Sequence, residues 1–166
     1  MLTLGKFLIF FLHLHPKLTS LEYRQVIFYT VFLLEVHHRL IDVKLLKNII
    51  SNADVFIQNL WPGFLKKVGL DSSTLRKKYQ SLITCYISGF GETGPYSKLK
   101  AYDLLVQAET ALCSLTGTPD APGRVGVSVC DIACGMNAYS LILEALIKKE
   151  FSGKGSAIKI SLFERL

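Results

Sequence analysis

The stretch ADVFIQNLWPGFLKKVGLDSSTLRKKYQSLITCYISG, residues 53–89, decides how the chain is read. Asp54 to Gln58 is a short strand pattern, ended by Asn59 and by Pro62, which suits the first turn of a helix running to about Val68. Gly69 stops that helix. Asp71 and Ser72 offer an N-cap to a second helix, Ser73 to Tyr79, whose polar face holds Arg76, Lys77 and Lys78. Leu82 to Ile87 is a second strand, closed by Ser88 and Gly89. Strand, helix, strand in this order predicts a parallel crossover unit and hence an α/β fold.

Toward the C-terminus the pattern continues. Tyr102 to Leu115 has apolar residues at 104, 105, 108, 111, 112 and 115, a helical period, and a Gly- and Pro-rich loop, Gly117 to Gly126, follows. Ser128 to Lys149 is the longest periodic segment and predicts a mostly buried helix with Ile132, Met136, Tyr139, Leu143 and Leu146 on its inner face. Lys148 and Lys149 fall in its last turn, where cations suit the helix dipole. Ser152 to Gly155 turns the chain into a final strand, Ala157 to Phe163, with apolar residues at 158, 160 and 162.

Toward the N-terminus the character changes. Residues 1–41 form an atypical segment with two apolar runs, Phe7 to Leu12 and Val26 to Leu34, each too short to span a bilayer, which needs about twenty apolar residues. Lys6 ahead of the first run is compatible with a signal peptide, but His13, His15 and Pro16 stand where small residues would mark cleavage. All four histidines, His13, His15, His37 and His38, lie here, and their spacing points only weakly to metal.

Composition narrows the classes. Half of the 166 residues are hydrophobic, enough for a sizeable core, and the net charge is +6. The 19 Lys and Arg are scattered and make no dense basic run, which argues against nucleic acid. Cys85, Cys113, Cys130 and Cys134 contain no C-x-x-C pair and read as reduced thiols of a cytoplasmic protein. Cys130 and Cys134, one helical turn apart, suit burial better than a metal clip, since no histidine lies in that half of the chain, and no metal is expected.

Two places can carry chemistry. The loop from Ser88 to Tyr96 has Gly89, Gly91 and Gly94 directly after a strand, so its backbone can approach a ligand closely; it fits neither a P-loop nor a dinucleotide fingerprint, and a plain surface turn is the alternative. Asp131 is a carboxylate in the first turn of a long apolar helix. Free amides there favour its ionised form, and a carboxylate is a nucleophile toward an activated acyl group; helix capping is the alternative role. Gly135, one turn on, leaves room beside it, at a helix cost of about 1 kcal/mol relative to alanine.

Taken in order, Ala53 to Asn59, Pro62-Gly63, Ile87 to Tyr96, Tyr102-Asp103, Leu115 to Gly117, Arg124 to Ser128, Asp131 and Ser152 to Gly155 resemble the class III CoA-transferases, the CaiB/BaiF family. The resemblance implies that residues 42–166 are a partial family domain, a fragment of a Rossmann-like large domain with parallel strands and flanking helices. It implies transfer of coenzyme A from an acyl-CoA to a carboxylic acid through an aspartyl intermediate, with Asp131 as nucleophile. Asn59, Leu60, Trp61, Gly89, Gly91 and Tyr102 match positions at or near the family's CoA site. The substrates would be a coenzyme A thioester and a free acid, with neither nucleic acid nor a membrane span involved, and family members are homodimers.

The sequence also departs from the family. Leu60 and Trp61 stand where an aromatic and then a basic residue usually follow the asparagine, which puts a phosphate contact at Trp61 in doubt. The related α-methylacyl-CoA racemases have a histidine where this chain has Tyr102, so transferase is preferred to racemase. The family's N-terminal strand-and-helix unit is not recognisable in Met1 to Leu40, and family segments beyond the last strand are missing. An incomplete parallel sheet is expected to leave apolar edges and faces exposed. The non-enzyme alternative is a catalytically inactive fragment of a degraded or split gene.

Overall fold

The structure is a computed structural model that describes residues 7–14, 26–33, 43–60 and 62–165. Trp61, Lys6, His15, His37 and His38 lie outside the described residues, and with them the readings placed on them.

Five strands form one sheet in the order β2-β1-β3-β4-β5. The expected strands are present as β3 (Val55–Gln58), β4 (Ile83–Ser88) and β5 (Ala157–Ser161). They pair in parallel, Val55 against Ile83 and Cys85 against Ile158. The two N-terminal apolar runs are strands as well, β1 (Phe7–Leu14) and β2 (Val26–Leu33), joined antiparallel with Phe10 against Thr30. β1 also pairs antiparallel with β3, Phe11 against Phe56. β1 therefore covers the edge of the parallel strands at β3. A short and nearly continuous apolar run carries no periodicity that separates a strand from a leader or a buried helix, which is why the hairpin does not follow from the sequence.

Side chains alternate across β3 and β4 into two cores. On one face Phe56 and Tyr86 meet Leu46 and Ile50 of α1 (Val43–Ser51), Leu65 of α2 (Phe64–Lys67) and Leu75 of α3 (Ser72–Lys78). The polar atoms of β4 on this side are satisfied: the Tyr86 hydroxyl donates to the Leu70 carbonyl at 2.7 Å, and Thr84 Oγ1 lies 2.6 Å from Ser72 Oγ. Asp71 caps α3 as expected, accepting from the Thr74 amide at 3.1 Å. The helix expected from Pro62 is shorter. Gly63, at φ +86°, is its N-cap, so Pro62 stands before the helix rather than in its first turn.

On the other face Val55, Ile83, Cys85, Ile158 and Ile160 pack against α6 (Val129–Ser152). The expected inner face of this helix is corrected. Cys130, Cys134, Ala138, Ile142 and Ala145 are buried, while Ile132, Met136, Tyr139 and Leu143 are exposed, Met136 by 68%. Of the predicted set, Leu146 alone is partly packed against the sheet core. Mostly small side chains let the helix approach the sheet closely, and the large apolar residues are turned outward. By length and composition α6 is long and apolar enough to cross a membrane, and only a narrow stripe of it is buried on the sheet, so the expectation of a mostly buried helix is corrected as well.

The single helix expected over Tyr102 to Leu115 is two, α4 (Asp103–Glu109) and α5 (Leu112–Thr116), broken at Ala111, whose φ is +62°. Its inward residues are Val106 and Gln107; Leu104, Leu105 and Leu115 of the predicted apolar face are exposed. Two cores of different make-up therefore sandwich the parallel strands.

Candidate functional site

The partly buried ion pair Lys149 Nζ to Asp54 Oδ1, 2.8 Å, fixes the last turn of α6 beside the start of β3. The helix therefore runs against the parallel strands, and its N-terminus, with Asp131, lies toward their carboxyl ends. Open α/β sheets hold ligands along that edge.

A side chain from α4 fixes the N-terminus of α6. Asp103 Oδ1 accepts from the amides of Cys130 at 2.7 Å and Asp131 at 3.1 Å, and its Oδ2 accepts from Gln107 Nε2 at 2.5 Å. Burial pushes the Asp103 carboxyl up, but the Gln107 side chain and the two amides outweigh it and hold the group below the usual carboxylate range. Gln107 is itself buried; its Oε1 accepts from the Val125 amide at 2.9 Å, tying the loop before α6 to α4. Ser128, the formal N-cap, makes no side-chain cap bond.

Asp131 is thus not the cap of its helix. It is an exposed residue, and among the described residues its carboxylate accepts no hydrogen bond. Protein packed around the carboxyl group, and next the charge of Asp103, push it above the usual carboxylate value of 3.8. A Cβ placed on Gly135 would meet open space, so the surface one turn along is clear. The thiols nearby are poor nucleophiles: burial, and then the charge of Asp103, raise Cys130 to about 12, and burial raises Cys85 to about 12.

The loop after β4 builds a cavity of about 240 Å³ at the carboxyl ends of β3, β4 and β5. Gln58, Ser88 and Ser161, one from each strand end, line it together with Leu60, Phe90 and Gly91. Gln58 is buried and accepts from the Leu60 amide at 2.7 Å, which shapes the turn leaving β3. Lys159 pairs with Glu92 across the rim. Phe90 packs edge-on against Tyr96, with ring centroids 5.6 Å apart.

The site residues expected from sequence divide. Leu60 and Gly91 line the cavity, Gly91 with the positive φ of +87° that its side-chain-free backbone allows. Asn59, Gly89, Tyr102 and Asp131 are not among the lining residues, and Trp61 is outside the described residues. Gly89 serves the fold: a Cβ there would sit 1.9 Å from that of Ala101, and its carbonyl accepts from the Phe163 amide at 3.1 Å. Tyr102 is exposed at the start of α4. Sequence reasoning placed Asp103 in a motif but gave neither it nor Gln107 a role at the site, although their i, i+4 spacing was legible as a helical pair. Among the described residues no group of three His, Cys, Asp or Glu side chains is arranged to hold a metal.

Parallel strands with helices on both faces and a cavity at their carboxyl ends define an α/β protein, and among the described residues the Asp131 carboxylate at the helix N-terminus toward that edge accepts no hydrogen bond. Residues 40–166 match CoA-transferase family III, and the chain belongs to that family. It is 41% identical over 121 residues to succinate–glutarate CoA-transferase of Agrobacterium fabrum, covering 72% of this chain and 30% of the relative. Human succinyl-CoA:glutarate CoA-transferase is 37% identical over 121 residues, with 72% and 28% covered. A solved CaiB/BaiF family protein from Brucella suis superposes with a TM-score of 0.70 at 39% identity, over 74% of this chain and 32% of that one. The chain spans about 30% of the length of the curated relatives it matches.

Proposed function

We propose that this chain carries the nucleophile-bearing part of an acyl-CoA:carboxylate CoA-transferase, with Asp131 as the nucleophile. The observation that carries the reading is the Asp131 carboxylate itself, without a donor bond from the described residues, at a helix N-terminus on the sheet edge that also holds the cavity. Family membership supplies the chemistry to test there.

The steps balance without an added reductant or oxidant. A carboxylate oxygen of Asp131 attacks the thioester carbonyl; the carbon–sulfur bond breaks, and the CoA thiolate leaves a mixed anhydride. The thiolate then attacks the aspartyl carbonyl, releasing the donor acid and leaving an aspartyl–CoA thioester. The acceptor carboxylate attacks that thioester to form a new anhydride, and the thiolate attacks its acyl carbon to give the product thioester and free Asp131. Each step exchanges one activated acyl bond for another, so no single barrier is large. In this reading Leu60 and Gly91 shape the wall against which the thioester lies, and Asn59 and Tyr102 flank it. A cytoplasmic setting belongs to it too, supported by four free cysteines.

Succinyl-CoA with glutarate, the pair in the names of the Agrobacterium and human relatives, is the first assay. Glutaryl-CoA should appear, and Asp131→Ala should abolish it; transfer that survives the substitution removes Asp131 from its role. A second reading has its own observation, the exposed apolar stripe of Ile132, Met136, Tyr139 and Leu143. In it, segments that the relatives carry outside the matched region cover this stripe and complete the site, and the described stretch by itself is catalytically silent. Absence of both turnover and acyl-enzyme in the same assay favours that reading.

A further inference from the structure

We infer that Asp103 is the positioning residue for Asp131: it occupies the amides of Cys130 and Asp131 from across the fold and so leaves the Asp131 carboxylate with no donor among the described residues. This rests on Asp131 being the nucleophile. A carboxylate in the first turn of a helix ordinarily gains from the free amides and partial positive charge around it, which stabilise the ionised form and blunt it as a nucleophile. Here those two amides are taken, at 2.7 and 3.1 Å, by a residue 28 positions earlier. Asp103 is held in turn by Gln107, whose side chain is buried and aligned by the Val125 amide.

The second effect is charge. Asp103 remains ionised, and its negative charge beside Asp131 opposes ionisation of the latter, so Asp131 becomes a more basic acceptor. Among the described residues the groups coupled to Asp131 by charge are Asp103 from α4 and Cys130 from α6, and Cys130 stays a neutral thiol. The arrangement caps the helix without employing the reactive carboxylate as the cap. A capping side chain from within α6 would stand against Asp131 just as closely, but would not bind α4 to the site.

The test is a carbon-13 carboxyl NMR titration of Asp131 in the full chain, in the parent, Asp103→Asn and Asp103→Ala proteins. Asp103→Asn keeps an oxygen for the two amides and removes the charge; the Asp131 midpoint should move down. Asp103→Ala also frees the amides, and the midpoint should move down further. An Asp131 midpoint unchanged in Asp103→Asn, with helix content intact by circular dichroism, overturns the inference; that variant decides it even where Asp103→Ala fails to fold. Acyl-adduct formation with succinyl-CoA, read by intact mass, separates the two claims. A midpoint shifted in Asp103→Asn, with no adduct in the parent, leaves the Asp103–Asp131 coupling standing and favours the reading in which other segments complete the site. An adduct-forming parent with unmoved midpoints does the reverse.

Discussion

The two faces of the central sheet are covered by opposite means. On the α1–α3 side large residues point inward, with Phe56, Ile50, Leu70 and Leu82 all but fully buried, and the outer surface is cationic, with Lys66, Lys67, Lys77 and Lys78 exposed. On the α6 side four of the five buried helix residues are Cys or Ala, and the outer surface is apolar: Ile132, Met136, Tyr139, Leu143, Ile147 and Phe151 are exposed, the last by 87%. Six large apolar side chains stand exposed along that one helix, more than singly scattered surface residues account for. The first face is closed by packing. The second is held by close backbone approach and by electrostatic ties at both ends of the helix, Asp103 at one and the Lys149–Asp54 pair at the other.

The widest test of this contrast sets Phe56→Ala against Met136→Ser. Removing a fully buried phenylalanine from the closed face should cost about 3–5 kcal/mol in urea denaturation. The change on the stripe should stay within about 0.5 kcal/mol, because Met136 leaves most of its surface in water in both folded and unfolded states. Similar losses from the two would mean that the α6 stripe is already covered in solution, and the contrast would fall.

Asp103→Ala tests the electrostatic tie and should cost about 1–2 kcal/mol at neutral pH, the worth of a strong helix cap. The folded Asp103 titrates below its usual 3.8, so its stabilisation is present above that pH and is lost as pH falls through the lower folded value. The gap between parent and variant melting temperatures should therefore close on acidification. A gap that persists in strong acid would show that Asp103 acts by packing rather than by its charged cap.

How much of this was legible in the sequence follows the same contrast. Strands β3, β4 and β5 were readable because turn residues bracket them and β-branched residues fill them, and Asp71 announced its helix because it caps its own first turn. The inner face of α6 was not readable. Hydrophobic periodicity weights large residues, and here the sheet selects small ones, so the heavier stripe pointed the wrong way. The apolar spacing from 104 to 115 misled for the same reason, since the buried positions of α4 are Val106 and the polar Gln107. Asp131 was visible as a carboxylate in a helix's first turn, whereas its partner was not. The Asp103 cap crosses 27 and 28 residues of chain to reach its two amides, a distance local pattern does not span.

The smallest expected effect is also the one that isolates the site. Asp131 titrates above 3.8 when folded, so its proton-linked stability is present below that value and is lost as pH rises through the folded midpoint. At neutral pH the ionised group is then a net cost, arising from packing around the carboxyl and from the charge of Asp103. Asp131→Asn, close in shape and uncharged, should raise the melting temperature slightly at neutral pH, and the gain should vanish in acid. In an Asp103→Asn background the same substitution should gain less, because the repelling charge has gone. An equal gain in both backgrounds would assign the cost to burial alone and would weaken the link between the α4 carboxylate and the end of α6.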